Sequence, residues 1–393
     1  MRLVGTTAMG VRLPIIGPGD DLAQIVVDHV LSVAEADNMP ITDSDIIGIT
    51  EGIVAKAENN FATVADIAAD VREKLGDCEI GLVFPMLSRN RFYNILKGIA
   101  AAAPEKKLHI LLSYPQDEVG NPIMDLDNID LALDRLGGKM ATEAEFVEAC
   151  GGVYRHNFTG VDYIELYKSA GENVQIYFSQ DPRDILQLTK NVIVGEIHTR
   201  ERTRKRLLGA GAEKVFTLCE ILSTPVNESG CNTRYGVLGS NLSTDDSLKL
   251  FPNRAPEFVQ KVQNLFRQKC GASPEVLVYG DGAFKDPVCG IWELADPVVS
   301  PGFTTRLGGQ PSEIKMKFVA DNAFANLSGE AKRNAITHAI KEKHQDPTMY
   351  REGTTPRQFS DLVGSLCDLM GGSGDKGTPV MLIRGYFDDF SAE

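Results

Sequence analysis

The segment VYGDGAFKDP, residues 278–287, places an acidic residue where a buried strand is expected to end. The apolar run 276–279 stops abruptly at Gly280, and Asp281 and then Asp286 follow. An aspartate between glycines can cap its own turn. Alternatively, a carboxylate held at a rigid strand end can bind a hard cation such as Mg²⁺. The residue types alone leave both interpretations open.

Two stretches near the start of the chain contain residues that could contact a phosphate group. RLPIIGPGDDL, residues 12–22, combines prolines and glycines, which either shape a loop before a helix or present backbone N–H groups to a nucleotide. TEGIVAKAEN, residues 50–59, places Lys56 shortly after an apolar strand. A lysine in this position is either solvated or reaches a phosphate as a point charge.

The stretch SRNRF, residues 88–92, places two arginines at the start of a helix. Ser88 can serve as the N-cap, so Arg89 and Arg91 fall in the first turn, where positive charge opposes the helix dipole. A bound anion at this end would offset the conflict, because guanidinium and backbone N–H groups both favour it. Solvent screening would offset it as well, so an anion site and a solvated helix start both fit the residues.

Two further stretches are compatible with phosphate binding but also have a plain structural interpretation. HTRERTRKR, residues 198–206, holds five basic residues, which form either a solvated helix face or a polyanion patch. MGGSGDKGTPVMLIRG, residues 370–385, is a glycine-rich loop between a helix and a strand, and glycines let backbone amides approach a phosphate closely. The loop does not have the Walker spacing, so its signal is weak when taken alone.

The sequence motifs of several other chemistries are missing. There is no G-x-S-x-G nucleophile elbow and no H-E-x-x-H zinc pair, and the six histidines are scattered. The seven cysteines show no C-x-x-C spacing, which is typical of reduced thiols in a cytosolic protein. We therefore expect carboxylate, metal and phosphate chemistry rather than covalent catalysis by serine or cysteine, and a cytoplasmic location.

The composition is that of a globular protein with a substantial core. The 393 residues carry a net charge of −14, and 43% of them are hydrophobic and 24% charged. The negative charge disfavours non-specific binding to nucleic acid or to anionic lipid. No apolar stretch approaches the ~18 residues of a membrane span, and the first residues lack the features of a signal peptide. We expect neither nucleic acid nor membrane as a partner.

Apolar periodicity predicts helices and strands in irregular alternation, with a β-α-β unit around residues 80–115. The predicted strands lie at 46–49, 80–84, 276–279 and within 106–115, 213–222 and 379–387. The predicted helices lie within 20–37, 64–75, 88–103, 181–191, 199–211, 255–271 and 357–372. A polar turn is predicted after the strand at 46–49. The pattern favours a mixed α/β or α+β fold over a regular doubly wound sheet.

Six of these stretches, taken in chain order, resemble the coenzyme F420-0:gamma-glutamyl ligase family. RLPIIGPGDDL resembles its leucine-proline-hydrophobic opening with Gly-Asp-Asp-Leu, and TEGIVAKAEN resembles its T-E-K-I-V-S-K-A-E-G strand and turn. QDPRDILQLTKN resembles its K-D-P-R-L-x-E-L-I-L helix, and GVLGSN resembles its G-[IV]-D-x-S-N turn. GDGAFKDP resembles its S-D-[ST]-F-G-R-P metal turn, and MGGSGDKGTPVMLIRG resembles its C-terminal M-G-x-x-x-x-x-P-V-x-x-[IV]-R-G.

This resemblance implies an amide ligase that uses GTP and either Mg²⁺ or Mn²⁺ to add L-glutamate to an acceptor carboxylate through an acyl phosphate. It implies that Asp281 binds the metal and that Asp281 and Lys56 take part in catalysis. We assign the start of the helix in SRNRF, with Ser88, Arg89 and Arg91, to acceptor binding. The implied nucleotide contacts are Leu13, Pro14, Ile15, Ile16, Glu51, Gly52, Lys56, Asn241, Met370, Gly371, Gly372, Gly374, Asp375 and Gly377.

The chain departs from the family pattern at the metal ligands. Leu238 stands where the D-x-S-N turn has its aspartate, and Gly282 stands where a hydroxyl residue follows the strand-end aspartate. Asp286 and Asp375 are the leading candidates to replace the missing ligands, ahead of the aspartates at 245–246. The missing ligands favour an alternative hypothesis, a non-catalytic nucleotide-binding or sensor protein of the same fold.

The expected architecture has two lobes and an inserted β-α-β region. We predict a nucleotide-binding lobe from residues 1–77 and 323–393, an inserted region at 78–173 that carries the acceptor site, and a metal and ligase lobe at 174–322. A homodimer is expected by analogy with the family.

Overall fold

The computed structural model describes residues 3–117, 120–152, 154–157, 159–280, 299–311, 314–342, 358–371 and 376–388. The strands are β1 (Thr7–Val11), β2 (Ile46–Thr50), β3 (Phe61–Thr63), β4 (Ile80–Val83), β5 (Leu108–Leu112), β6 (Ala141–Thr142), β7 (Val174–Phe178), β8 (Asn191–Val194), β9 (Lys214–Thr217), β10 (Asn241–Thr244), β11 (Ser247–Lys249), β12 (Glu275–Tyr279), β13 (Gly302–Phe303) and β14 (Val380–Arg384).

The helices are α1 (Leu22–Ala36), α2 (Glu51–Ala57), α3 (Val64–Leu75), α4 (Arg89–Ala102), α5 (Leu126–Leu136), α6 (Glu143–Ala149), α7 (Tyr163–Lys168), α8 (Arg200–Gly209), α9 (Ala255–Cys270), α10 (Met316–Asp321), α11 (Gly329–Glu342) and α12 (Phe359–Met370). Short 3₁₀ helices lie at Pro182–Gln187, Leu218–Glu220 and Thr305–Gly308. The predicted mixed α/β fold is confirmed. No helix among the described residues is both long enough and apolar enough to cross a bilayer.

A five-stranded sheet joins the two ends of the chain in the order β1-β14-β2-β12-β13. β2 and β12 are parallel neighbours, with Thr50 paired to Tyr279 at their carboxyl ends, and the other pairs are antiparallel. Since parallel strands end at the same edge, the residues that follow β2 and β12 emerge side by side. β14 closes the other side of β2, where the backbone N–H of Thr50 donates to Pro379 O at 2.9 Å.

Helices cover both faces of this sheet. Ile47 and Ile49 face a core that contains buried residues of α1 and α9, whereas Ile46 faces a second core with Cys367 of α12. This alternation follows from the two-residue period of a strand. It explains why β2 reads as a continuous apolar run, IIGI, since both of its faces are buried.

The middle of the chain forms a six-stranded sheet in the order β6-β7-β5-β4-β8-β9. All pairs are parallel except β6 with β7. The chain runs from β4 outward through β5 to β7, then returns to the other side of β4 at β8, which is the order of a doubly wound sheet. The sequence predicted the β-α-β unit here but not this sheet. Its strands lie on both sides of residue 173, so the sheet does not coincide with the boundary predicted there.

A three-stranded sheet, β10-β11-β3, connects the two larger sheets. Asn60 precedes β3 and its buried side chain donates to Cys231 O at 2.9 Å and to Phe251 O at 2.6 Å, and accepts from Cys231 N at 2.9 Å. On the other side, Asn94 of α4 donates to Thr244 O at 3.0 Å. The β10–β11 hairpin is therefore fixed to both halves of the molecule.

The polar turn predicted after β2 is wrong, because the chain enters α2 there directly. Thr50 adopts an extended conformation before the helix, and Glu51 takes the first helical position, where an acidic residue suits the helix dipole. Val54 and Ala55 are buried against the core. Two buried apolar residues in seven give too weak a periodicity for the sequence to predict a helix.

Gly48 sets how closely α12 approaches β2, and this contact gives a first prediction. A Cβ at residue 48 would overlap the sulfur of Cys367, which is fully buried. We expect Gly48→Ala to lower the free energy of unfolding by about 1–3 kcal/mol, because overpacking a core forces its side chains to shift. Chemical denaturation of the variant measures this loss.

The control is the double variant Gly48→Ala/Cys367→Ala, in which the sulfur is removed. Its loss of stability should be smaller than the sum of the two single losses, since the residues share one contact. Additive losses would show that α12 does not pack on β2 in this way.

Candidate functional site

A polar cleft of about 600 Å³ lies at the carboxyl edge of the five-stranded sheet. It brings together the beginning of α2, the ends of β2 and β12, the small sheet and the last turn of α12. Its lining residues are Thr50, Glu51, Gly52, Lys56, Phe61, Asn241, Leu242, Ser243, Lys249, Gly280 and Asp368. Four of the residues predicted from the sequence, Glu51, Gly52, Lys56 and Asn241, lie in this cleft.

The end of β12, which precedes Asp281 in the sequence, also borders the cleft. Gly280 is the last described residue after β12, lines the cleft, and donates its N–H to Val299 O at 2.8 Å. Asp281, Gly282 and Asp286 lie outside the described residues. The chain therefore leaves β12 within the cleft at the position directly before Asp281.

An ion pair that the sequence did not predict spans the floor of the cleft. Lys249 Nζ donates to Glu51 Oε1 at 2.7 Å, and the two side chains are 20% and 7% exposed. Lys249 closes β11 and is paired in register with Asn241 of β10 and with Phe61 of β3. Directly paired residues of an antiparallel sheet project from the same face, so these three side chains share the cleft wall. No motif in the segment 241–249 identified Lys249 as a candidate site residue.

The turn that leads into Asn241 depends on a glycine. Gly239 has φ of +80°, and a Cβ there would overlap the ring of Phe251. Only glycine combines this conformation with this close approach. Beyond Asn241 the hairpin rests on α4, where Lys97 Nζ donates to Asp245 O at 2.7 Å and lies 3.3 Å from Asp246 Oδ1. The turn before Asn241 and the hairpin beyond it are therefore both held in place by close contacts.

The described residues of the C-terminal loop, Met370, Gly371 and Gly377, do not line the cleft, but the helix before them does. Asp368, which was not predicted from the sequence, lines the cleft in the last turn of α12. Met370 and Gly371 end this helix, and Gly377, with φ of +63°, precedes β14. Gly372, Gly374 and Asp375 lie outside the described residues. An acid in an amphipathic helix gives no local signal, which is why Asp368 was missed.

The N-terminal loop lies elsewhere on the described surface. Leu13, Pro14, Ile15 and Ile16 do not line the 600 Å³ cleft. Ile15 is 93% exposed, whereas Ile16 is buried in the core with α1. Their assignment to nucleotide binding stays a prediction.

A second cavity of about 440 Å³ lies between the starts of α1 and α9. Glu58 lines it and accepts the backbone N–H groups of Asn253 and Arg254 at 2.8 and 3.2 Å. Burial raises the pKa of Glu58. This carboxylate serves the start of α9, so we assign it a structural role.

The acceptor candidates lie at the start of α4, at the carboxyl edge of the six-stranded sheet. Ser88 caps the helix by accepting the N–H of Arg91 at 3.2 Å. Arg89 is exposed, whereas Arg91 is 8% exposed. Their acceptor role stays a prediction.

Two of the five basic residues on α8 pair with acids of neighbouring elements. Arg204 pairs with Glu220 at 3.0 Å, and Arg206 pairs with Asp181 at 3.1 Å. A hydrogen bond from Arg183 is the main reason why the pKa of Asp181 falls to about 2. These pairs favour the interpretation of the run as a structural helix face rather than a polyanion patch.

The family position of the second metal aspartate is part of the hydrophobic core. Leu238 is fully buried in the hydrophobic core that includes residues of the six-stranded sheet. This sheet and its core are called the six-stranded domain below. Among the described residues, no three His, Cys, Asp or Glu side chains come close enough to hold a metal ion. The oxygen donors that the cleft does offer are Glu51, Asp368 and Asn241, which are of the type that Mg²⁺ and Mn²⁺ bind.

The burial of Leu238 predicts that restoring the family acid there is not tolerated. We expect Leu238→Asp to destabilise the fold by at least about 3 kcal/mol, because a carboxylate would be buried without a partner. Leu238→Met, which conserves volume, should cost less than about 1.5 kcal/mol. Thermal denaturation of both variants makes the comparison, and a stable Leu238→Asp protein would place this position at the surface of the cleft instead.

Residues 10–385 match the protein family described as F420-0:Gamma-glutamyl ligase. A stretch of 79 residues is 34% identical to the coenzyme F420:L-glutamate ligase of Methanothermobacter thermautotrophicus, and covers 19% of this chain and 30% of that protein. The chain thus matches less than a third of this relative's length. Because the family match extends over most of the chain, this chain belongs to the F420-0:gamma-glutamyl ligase family.

Proposed function

We propose that this protein is a GTP- and divalent-cation-dependent ligase that joins L-glutamate to a carboxylate acceptor. The observation that carries the proposal is the convergence, in one cleft, of residues from three separate family motifs: Glu51 with Lys56, Asn241, and Gly280 directly before Asp281. Glu51 precedes Asn241 by 190 positions and Gly280 by 229, and only the fold brings them together. The name of the partly matching relative describes a glutamate ligase, in agreement with the proposal.

In the proposed reaction, the acceptor carboxylate attacks the γ-phosphorus of GTP, which forms an acyl phosphate and releases GDP. The glutamate amine then attacks the acyl carbon, phosphate leaves, and the amine loses a proton. Lys56 contacts the nucleotide phosphates as a point charge, and Asn241 orients the nucleotide from the wall of the cleft. Asp281 would hold a divalent cation, which would offset the negative charge of the phosphates.

We further propose that the acceptor binds between the cleft and the six-stranded domain. α4 supports the hairpin that carries Asn241, and the same helix begins with Ser88 and Arg89. A helix N-terminus together with a guanidinium favours an anionic group of the acceptor. A homodimer and a cytoplasmic location stay predictions from the family and the composition.

One observation favours a second candidate function, a nucleotide-binding protein without ligase activity. Leu238 occupies a family metal position with a buried apolar side chain. A protein of this kind would bind GTP without turning it over. A phosphotransferase that makes only the acyl phosphate is an intermediate case, in which nucleotide turnover does not require glutamate.

The test of the proposed function is the stoichiometric release of GDP and phosphate by the purified chain. We expect release that requires a carboxylate acceptor, L-glutamate and Mg²⁺ or Mn²⁺ together, with one amide formed per phosphate. Asp281→Asn should abolish metal-dependent nucleotide binding in calorimetry and leave the circular dichroism spectrum unchanged, because the amide removes the charge but conserves the shape. Binding of GTP without turnover under every condition would support the second candidate and exclude the ligase.

Arg89→Ala tests the acceptor site separately. We expect the KM for the acceptor to rise about tenfold, since one charge-assisted contact at a partly exposed site is lost, while the affinity for GTP stays unchanged. Arg155→Ala is the matched control, because that arginine is exposed and its guanidinium donates only to Gly160 O among the described residues. Unchanged kinetics for Arg89→Ala would remove the start of α4 from the acceptor site.

A further inference from the structure

Lys249 is the charged residue of the cleft that no sequence motif identified. It projects from β11 beside Asn241, and its ammonium lies 2.7 Å from Glu51 Oε1. An ammonium group has three N–H donors. Among the described residues its hydrogen bonds are to Glu51, so further donors are available towards the cleft, where the side chain is 20% exposed.

The ammonium of Lys249 lies directly beside residue 52, at the first turn of α2. A Cβ at Gly52 would lie 3.2 Å from Lys249 Nζ, so the ammonium would have to shift by a few tenths of an ångström to accommodate it. A side chain at residue 52 and the ammonium of Lys249 would therefore share the same part of the cleft. In the motif T-E-K-I-V-S-K-A-E-G that this segment resembles, the position of Gly52 is a lysine. This chain has no side chain at that position, and the ammonium of Lys249 lies beside it.

The ion pair with Glu51 orients the ammonium of Lys249 and does not prevent it from binding a ligand. Glu51 is 6% exposed, at the first position of α2, and its carboxylate reaches Lys249 from beneath the cleft floor. A lysine on a flexible stem loses rotational freedom on binding a ligand, and a buried carboxylate partner restricts that freedom in advance. Lys56 lines the same cleft from the last turn of α2. The two lysines therefore present positive charge from different elements.

We propose that Lys249 binds phosphate oxygens of the nucleotide and supplies from β11 the cation that the related motif carries at the position of Gly52. The inference rests on the proposed function, because it takes the cleft as the nucleotide site. It adds a binding residue from an element outside the matched motifs. It also explains why a glycine is tolerated in the first turn of α2, where glycine lowers helix propensity.

The test measures the affinity of the full chain for GTP with MgCl₂ by calorimetry. We expect Lys249→Met, which keeps most of the apolar stem, to weaken GTP binding about 10- to 100-fold, the range for one charge-assisted contact. The double variant Gly52→Lys/Lys249→Met should regain most of the lost affinity, because the new lysine fills the vacated space. Lys168→Met is the control, since Lys168 forms a comparable pair with Glu143 at 2.8 Å outside the cleft.

A purely structural role for Lys249 gives a different pattern. If Lys249 only held Glu51 and the hairpin in place, Lys249→Met would weaken GTP and GMP equally and lower the melting temperature. Under the proposal, the loss is larger for GTP than for GMP, because the extra phosphates provide the contact. Equal losses, or no rescue by Gly52→Lys, would overturn the inference.

The outcome for the unmodified protein separates this inference from the proposed function. If the unmodified chain does not bind GTP, both fail. If it binds GTP and the folded Lys249→Met variant binds it equally well, the inference fails and the proposed function stands.

Discussion

The parallel pairing of β2 with β12 is the constraint on which the rest of the site depends. Each of these strands lies between an antiparallel neighbour and the other, and both are buried on two faces. Their register pairs Thr50 with Tyr279, so the chain leaves both strands at one edge. A shift of one residue would move every side chain of a strand to the opposite face, and two buried cores resist that shift. The position of Gly280 relative to Glu51 is consequently held by the whole sheet.

The β10–β11 hairpin connects this edge of the five-stranded sheet to the rest of the molecule through defined contacts. It is short and polar, and its stability comes from what it touches: β3 on one side, α4 on the other and Glu51 beneath. Asn60 anchors the base of β3 with three hydrogen bonds that are all buried. A buried polar network of this kind is stable only when its members are satisfied, which makes it a specific connection rather than a flexible hinge. The six-stranded domain is therefore linked to the cleft through defined contacts.

The parts of the fold and the site that could be predicted are those whose pattern lies in neighbouring residues of the sequence. The strands at 46–49 and 276–279 and the helix at 64–75 were predicted correctly, because several consecutive residues are buried in a simple period. The doubly wound order was not, since β8 pairs with β4 across more than a hundred residues and no local pattern encodes that choice. α2 was missed because only a few of its seven residues are buried. Asp368 and Lys249 were missed because each is a single charged residue. The apolar pattern of its helix or strand reflects the buried face and gives no information about the opposite face.

The comparison of Leu238 with Lys249 shows how a family pattern can diverge in two different ways. Leu238 stands where the related motif has an aspartate, and it is fully buried in the apolar core. An aspartate there would be a carboxylate buried without a partner. At Gly52 the change is in the cleft itself, where space and solvent remain, and a side chain from another strand can take the vacated place. Loss of a ligand in a core is therefore hard to reverse, whereas loss of a charge at a cleft wall can be compensated by any element that borders it. The cleft borders α2, α12, the ends of β2 and β12 and the three-stranded sheet, which is why its chemistry is better judged from the charges that meet in space than from the motifs in the sequence.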